Sequence, residues 1–306
     1  MPHWKLILTY DGTPYNGWQV QPNLPTVQGT LAEAIHRITG EAVLPQGSGR
    51  TDTGVHALAQ VATFSLTVPI PAANLHRALN RALPASIRVL SVEAVPEDFH
   101  ARHSALRKTY EYRILPCGHD DRICSPMLAP YVWPCRFFLD FTILQQAASH
   151  IVGTHDFTSF AANDPDQATR NAAHPKTVED ESGDPTDSPQ PNQTQSNERN
   201  VISTGGGALA AAVEKSLPPR STNPIDSTRT IYHSAWREQE DLLIYRITGN
   251  GFLHHMVRNL VGTFVEAAAR RITADTIPTI LAARNRSAAG PTAPASGLFL
   301  VEVEYE

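Results

Sequence analysis

Strand-type and helix-type residue patterns alternate along this chain, and the alternation breaks down only between residues 161 and 228. Apolar residues recur at every second position, as in strands, or at every third and fourth position, as in helices. The strand patterns lie at 5–10, 60–66, 88–95, 108–115, 230–232, 241–248 and 298–305, and the helical patterns lie at 26–38, 71–83, 138–152, 252–271 and 274–283. Because helices and strands are interleaved rather than collected into a bundle, we predict an α+β fold of two similar halves, 1–105 and 106–306, each a sheet with helices on one face.

The interruption at 161–228 differs in composition from the rest of the chain. It contains no Phe, Trp or Tyr, but it holds 8 of the 24 prolines. Such a segment cannot bury enough apolar surface to offset the backbone entropy of ordering it, which is about 1–2 kcal/mol per residue. We therefore predict a mostly disordered insertion in the second half, in which 208–213 is the one candidate for a short helix.

The formal net charge of −5 lies entirely in this insertion, which has ten acidic and five basic residues. The rest of the chain is therefore neutral overall. A nucleic-acid partner usually shows as a basic excess, so the charge balance by itself does not indicate one.

The sequence carries no membrane-spanning, secretory or disulfide pattern. No segment reaches the roughly 18 consecutive apolar residues of a membrane-spanning helix, and the first residues lack the pattern of a secretory signal. The three cysteines, Cys117, Cys124 and Cys135, are widely spaced and form no C-x-x-C motif. We therefore predict reduced thiols in a cytoplasmic protein.

The most informative stretch is the glycine-rich segment 47–56, which precedes a strand pattern and contains Arg50, Asp52 and His56. Glycines permit a tight loop and the close approach of a ligand. The guanidinium of Arg50 favours the ionised form of a nearby carboxylate. Asp52 on such a loop is a candidate nucleophile, base or metal ligand, although an Asp among glycines also commonly orders a turn. The spacing matches neither a phosphate-binding loop nor a dinucleotide-binding fingerprint.

Four sequence blocks resemble those of the tRNA pseudouridine synthase A family, in the same order along the chain. Residues 49–56, GRTDTGVH, are similar to the signature that carries the family's catalytic aspartate. The other blocks are YDGTPYNGWQVQP at 10–22, FHARHSALRKTYEY at 99–112 and NGFLHHMVRN at 250–259, and the final GLFLV at 297–301 also fits. Together they cover nearly the whole chain outside 161–228.

The resemblance implies a ferredoxin-like pseudouridine synthase fold with sheets joined across a central cleft. It also implies an enzyme that isomerises uridine to pseudouridine in the anticodon arm of tRNA, at positions 38–40. Asp52 would act in cleaving the N-glycosidic bond, and the uracil would rotate and rejoin the sugar through C5. The family's active-site tyrosine matches Tyr110, which would stack on the uracil and help to remove a proton. Arg258 would pair with Asp52, and Arg50 would hold Asp52 or contact a phosphate.

The chemistry of the substrate suggests further RNA contacts, and the resemblance suggests the partners. A uridine in a stem must be flipped out of its stack at a cost of a few kcal/mol. The candidate RNA contacts are His56, Leu298, Gln19, Arg77, Arg107, Arg81, Arg102 and Lys108. The family acts without a metal or another cofactor, and a homodimer is implied. We expect a locally basic cleft and RNA binding that weakens with salt.

Three alternatives remain open in the sequence. His254 and His255 would point about 100° apart on a helix, which is a poor arrangement for binding one metal ion. A glycoside-type hydrolase would need a second carboxylate, and Glu111 points to the opposite strand face from Tyr110. A non-catalytic tRNA-binding or chaperone protein would not need Asp52. The sequence leaves open whether Asp52 attacks C1′, attacks C6 or starts a glycal route, and it does not identify the preferred tRNA.

Overall fold

A computed structural model describes residues 1–118, 122–162 and 226–306. The predicted α+β class is confirmed, with a large mixed sheet that is not closed into a barrel. Its strands are β1 (His3–Tyr10), β2 (Gln46–Gly47), β3 (His56–Ser65), β4 (Ile87–Val95), β5 (Arg107–Pro116), β6 (Trp133–Cys135), β7 (Gly153–Asp156), β8 (Thr228–Gln239), β9 (Leu242–Gly249) and β10 (Leu298–Glu304).

One continuous sheet runs through both halves of the chain, in the order β4-β1-β3-β10-β5-β9-β8-β7, with β2 paired to β3 and β6 to β5. The last strand, β10, joins the halves at the centre. It pairs in parallel with β3 and antiparallel with β5, so that Phe299 lies opposite His56 and Leu298 lies opposite Tyr112. Strands from the beginning, middle and end of the chain therefore meet in the centre of the sheet.

The helices of the described part are α1 (Val27–Thr39), α2 (Ala72–Ala82), α3 (Phe141–Ser149), α4 (Met256–Ala268) and α5 (Ile277–Ala283). The predicted caps of α1 are confirmed. Thr26 accepts a hydrogen bond from the backbone N–H of Gly29, and Gly40 ends the helix in the left-handed region at φ 76°. Such caps satisfy backbone groups that the helix itself leaves unpaired.

Several element boundaries differ from the predicted ones. The helix predicted at 138–152 begins only at Phe141, because the Asp140 carboxylate accepts hydrogen bonds from the N–H groups of Thr142 and Ile143. The strand predicted at 230–232 runs on to Gln239 and forms a hairpin with β9. That hairpin turns at Glu240, whose φ is 52°. Pairing with β9 thus extends β8 through polar residues that show only a weak strand pattern in the sequence.

The described residues belong to one compact unit, and its core includes side chains from both predicted halves. Tyr245 of β9 packs edge-on against Phe264 of α4, with ring centroids 5.5 Å apart. The boundary near residue 105 stays a prediction. Most of the predicted insertion at 161–228, including the candidate helix at 208–213, lies outside the described residues.

Candidate active site

The loop that carries Asp52 is held in place by the segment that follows β1. The N–H of Trp18 donates to the carbonyl of Thr51 at 3.0 Å, and the hydroxyls of Tyr10 and Thr51 are bonded at 2.8 Å. A Cβ on Gly12 would lie 2.1 Å from the Val55 carbonyl oxygen, and one on Gly17 (φ +83°) would lie 2.6 Å from that of Thr51. These close approaches need glycine, so the 10–22 block builds the support of the loop.

Asp52 forms an ion pair with Arg258, which lies in the first turn of α4. Nη1 of Arg258 donates to Oδ2 of Asp52 at 2.9 Å, and the two side chains are only 15% and 18% exposed. A partly buried, charge-assisted hydrogen bond of this length orients the carboxylate. The other carboxylate oxygen, Oδ1, lies 3.5 Å from Nε2 of His254.

Arg258 is itself fixed by the segment that precedes β10. Its Nε donates to the carbonyl of Ala293 at 2.8 Å, and the Ala293 N–H donates to the Arg258 carbonyl at 3.1 Å. That segment is anchored by the fully buried amide of Asn259, whose Oδ1 accepts from Thr292 at 2.7 Å and from Arg286 at 3.1 Å. A chain of hydrogen bonds therefore runs from the core to the Asp52 carboxylate.

His254 and His255 also face Asp52. The helix predicted at 252–271 begins only at Met256. The prediction that the two rings diverge by 100° is therefore wrong, because neither histidine is helical and His255 is in the left-handed region at φ 59°. The centroids of the two rings lie 3.9 Å apart, and the ring planes are tilted by 32°. Nε2 of His255 lies 3.4 Å from Oδ2 of Asp52. Burial lowers the pKa of His255 although Asp52 raises it.

Tyr110, on β5, is close enough to Asp52 for the charge of that carboxylate to act on its phenol. Its ring is 7% exposed and packs edge-on against Phe252 at 5.0 Å. Burial raises the pKa of the Tyr110 phenol, and Tyr10 and Asp52 raise it further. Tyr112 is completely buried, and its hydroxyl donates to the carbonyl of Pro294 at 2.7 Å. Of the two tyrosines, Tyr110 is the one that neighbours the loop of Asp52, with its hydroxyl 3.9 Å from the position of a Cβ on Gly49.

Two basic residues border the loop. Lys108, on β5, donates to the carbonyl of Ser48, and a Cβ on Gly49 would lie 3.6 Å from its Nζ and 3.9 Å from the Tyr110 hydroxyl. Burial, together with the charges of Arg102 and Arg229, lowers the pKa of Lys108 to about 8. Arg50 is exposed on the loop, two residues before Asp52.

His56 lies behind the loop, in its support. It is 1% exposed, its Nδ1 accepts from the N–H of Gly12 at 3.1 Å, and its Nε2 bonds the carbonyl of Pro130 at 2.9 Å. Its ring stacks on Phe299 at 4.7 Å. Both ring nitrogens are therefore engaged by backbone groups, which leaves no ring edge for a base. We place His56 among the bracing residues rather than among the substrate contacts.

This placement predicts how stability changes with pH. Burial lowers the pKa of His56, with Arg113 adding to that effect and Pro130, Asp11 and Ser296 opposing it. The unfolded chain therefore takes up a proton at a higher pH than the folded chain, so the free energy of unfolding falls as pH falls through about 6.5. We expect urea unfolding of the His56→Asn variant to depend less on pH between about 7 and 5 than unfolding of the unaltered chain. Parallel curves for the two proteins would contradict this assignment.

Leu298 and Gln19 lie close to the same support. Leu298 starts β10 opposite Tyr112 and is 6% exposed. Gln19 follows Trp18 in the segment that braces the loop, and its Oε1 is buried without a hydrogen-bond partner in the described part of the chain. Both positions are compatible with substrate contact, which stays a prediction.

Arg77 and Arg107 make contacts away from Asp52. Arg77 lies on α2, donates to Asn74 and lines a shallow open groove between α2 and β4. Arg107 lies 3.8 Å from Glu304 and covers the ring of Tyr232. Neither contact involves the loop 48–55, so their predicted roles in RNA binding stay predictions.

Two features of the site had no usable sequence signal. The carbonyl that orients Arg258 is a backbone group of Ala293, which any residue could provide. The loop is also tied to β3 through the buried Gln60, which accepts from Ser48 at 2.7 Å and donates to the Gly49 carbonyl at 2.9 Å. A polar residue inside a strand pattern was the only available hint of the second feature.

Comparison with known protein families gives a match over two stretches of the chain. The model of a family described as tRNA pseudouridine synthase matches residues 6–104 and 215–306. Asp52 and Arg258 lie within the two matched stretches, and Tyr110 lies between them. No helix in the part of the chain that the structure describes combines the length and apolar character of a membrane span.

Similar proteins match along the whole chain. A tRNA pseudouridine synthase A of Solibacter usitatus is 41% identical over 98% of both chains, and one of Moorella thermoacetica is 38% identical over 100% of both. One of Acetivibrio thermocellus is 37% identical over 98% of both. This chain therefore belongs to the tRNA pseudouridine synthase family, whose members are isomerases.

Proposed function

We propose that this chain converts uridine to pseudouridine in tRNA, at positions 38–40 of the anticodon stem-loop, with Asp52 as the catalytic nucleophile. The observation that carries the proposal is the Asp52 carboxylate, which is held by Arg258 at 2.9 Å on a rigid loop. Membership of the family supports the reaction and the substrate class. The choice of the anticodon arm rests on the resemblance to the synthase A members.

The chemistry requires a group that attacks or deprotonates the sugar or base, and a surface that holds the uracil while it rotates. An ionised, oriented carboxylate meets the first need. The buried ring of Tyr110 meets the second, because aromatic faces stack on unpaired bases. The raised pKa of Tyr110 keeps its phenol neutral, so we assign to it stacking, with hydrogen bonding through the hydroxyl, in preference to action as a phenolate base.

A glycoside hydrolase is the less favoured chemistry at this site. It needs a second carboxylate as general acid, but the described groups that pair with Asp52 are His254, His255 and Arg258. The candidate Glu111 accepts from Arg237 and Arg246 at 3.1 Å instead. The positive and imidazole groups around Asp52 suit a reaction in which one carboxylate acts alone.

RNA binding should depend on Lys108 and therefore on pH. A lysine with a pKa of about 8 loses its charge as pH rises from about 7 to about 9, and Arg102 and Arg229 are the charged groups that face it. We expect the affinity for a tRNA transcript to fall over this range. In the Lys108→Gln variant this pH dependence should be reduced, and the slope of log affinity against log salt should be shallower by about 1.

Arg270→Gln is a matched control for that experiment. Arg270 follows the C-terminal end of α4, is 72% exposed and pairs with Asp140 at 3.2 Å. Its removal should leave the pH dependence of RNA binding unchanged. Equal pH profiles for Lys108→Gln and the unaltered chain, measured by filter binding, would contradict a role for Lys108.

We further propose that the enzyme is cytoplasmic, where tRNA is available, and that it works as a homodimer. A tRNA arm is large compared with one cleft, and a second subunit could complete the binding surface. Sedimentation of the chain with and without tRNA tests the dimer, and a monomer that is fully active at its working concentration would contradict it.

Carbodiimide treatment and primer extension of a tRNA transcript test the reaction and its position together. The unaltered chain should produce stops at positions 38–40, and Asp52→Ala should produce none while still binding the transcript. Stops elsewhere in the tRNA would overturn the anticodon-arm assignment but leave the isomerase intact. RNA binding without any stop would favour the non-catalytic alternative.

A further inference from the structure

We propose that Asp52, His254 and His255 form a binding site for one divalent transition-metal ion such as Zn²⁺, and that metal binding there inhibits the enzyme by occupying the catalytic carboxylate. The ion is an inhibitor and takes no part in the proposed reaction. The inhibitory half of this inference rests on the proposed function, whereas the binding half can be tested without any activity.

The backbone at the start of α4 brings the two imidazoles together. His255 has φ 59°, a value that costs a non-glycine residue energy and is concentrated at functional sites. This turn takes both histidines out of helical geometry, so their ring centroids lie only 3.9 Å apart, with the planes tilted by 32°. Although they are neighbours in sequence, His254 and His255 therefore both direct Nε2 at the Asp52 carboxylate.

The distances between donor atoms suit a small metal ion. Nε2 of His254 lies 3.5 Å from Oδ1 of Asp52, and Nε2 of His255 lies 3.4 Å from Oδ2. The three candidate ligand atoms all lie within 4.8 Å of one another. Ligands at zinc bond lengths of about 2.0–2.2 Å in a tetrahedron stand roughly 3.3–3.6 Å apart, so modest rotation of the rings would complete the site.

The chemistry and access of these donors favour a transition metal over Mg²⁺ or Ca²⁺. Two imidazoles and one carboxylate are typical ligands for Zn²⁺ and Co²⁺, whereas hard cations prefer oxygen alone. In the described part of the chain no group bonds Nδ1 of His254, so that nitrogen can carry the proton and leave Nε2 as a ligand. The three side chains are 18–31% exposed, which gives an ion access from solvent.

The charge of Arg258 opposes the ion and should make binding reversible. Its guanidinium lies 2.9 Å from Oδ2 of Asp52 and repels a dication bound to the same carboxylate. Removing this charge in Arg258→Met should therefore tighten metal binding, by at least roughly tenfold. The same substitution damages the isomerase site, so metal affinity and catalysis should change in opposite directions.

Cobalt titration of the RNA-free chain tests the binding site. Co²⁺ alone should bind at one equivalent and give visible absorption bands, which Zn²⁺ removes. His254→Ala, His255→Ala and Asp52→Asn should each weaken this binding by about 100-fold or more. Loss of a residue that only hydrogen-bonds a metal ligand already costs about 10–100-fold in metal affinity. Far-UV circular dichroism checks that each variant is folded, and His255→Gln provides a second, milder change.

His103→Ala is the matched control, because His103 belongs to another histidine pair, with His100 at a ring distance of 4.4 Å. Bands that persist in His254→Ala and His255→Ala, or that disappear in His103→Ala, would overturn the site. If the chain isomerises uridine, Zn²⁺ should inhibit it in proportion to occupancy, and a chelator should restore it. Full activity with the metal bound would overturn the inhibitory role, while absence of isomerase activity would refute the proposed function and leave the binding result standing.

Discussion

The Asp52→Asn variant is expected to bind tRNA and to form no detectable pseudouridine. The substitution keeps the shape of the side chain but removes its negative charge, so it eliminates the nucleophile or base from the site. Loss of a catalytic nucleophile typically costs at least about 10⁴-fold in kcat, equivalent to roughly 5.5 kcal/mol of transition-state stabilisation. Release of tritium from a transcript labelled at uridine C5 measures this loss.

Asp98→Asn is the matched control for this variant, because Asp98 is an exposed aspartate outside the loop. It should retain the rate of the unaltered chain. Filter binding of the same transcript should give similar affinities for both variants, which separates loss of chemistry from loss of binding. Measurable tritium release by Asp52→Asn, above that of a protein-free sample, would remove Asp52 from the reaction.

Arg258→Met is expected to lower kcat by about 10²–10³-fold, the usual cost of losing one preorganised electrostatic partner. Arg258 holds the carboxylate through Nη1 and is itself fixed through Nε by the Ala293 carbonyl. Methionine retains much of the stem but cannot orient the charge. Arg258→Lys should recover only part of the rate, because one ammonium cannot reproduce the two directions of the guanidinium fork. Single-turnover rates at saturating tRNA measure the effect.

Arg284→Met removes a comparable guanidinium–carboxylate pair elsewhere in the chain. Arg284 lies 2.9 Å from Asp156 and is 70% exposed. Its removal should leave single-turnover rates unchanged, since exposed pairs contribute little to stability. If Arg258→Met retained the full rate, the ion pair with Asp52 would be structural rather than catalytic.

Much of the fold could be predicted because the local patterns were strong. The alternation of Trp4, Leu6, Leu8 and Tyr10 matches the buried positions of β1. Thr26 and Gly40 marked both ends of α1 because capping depends on local chemistry. The partner order of the strands could not be obtained in this way, because the placement of β10 between β3 and β5 depends on contacts far apart in sequence.

The candidate site, like the fold, could be predicted from the sequence only in part. Family resemblance identified Asp52, Tyr110 and Arg258 as a group, but periodicity placed His254 and His255 on a helix and separated their rings. The prediction that the rings separate is wrong because His255 has a left-handed conformation. Few non-glycine residues adopt this conformation, and no local sequence pattern predicts it. The bracing position of His56 also could not be predicted, because it depends on contacts with Gly12, Pro130 and Phe299, which are distant in sequence.

Nucleoside analysis of one tRNA transcript, before and after complete reaction with the full chain, tests the central claim most directly. We predict that each uridine lost is replaced by one pseudouridine, with no free uracil and no change in RNA mass, because the bond to N1 is exchanged for a bond to C5 within the same nucleotide. Free uracil and an abasic site would instead identify a hydrolase. Unchanged uridine under conditions where the transcript is bound would contradict an isomerase altogether.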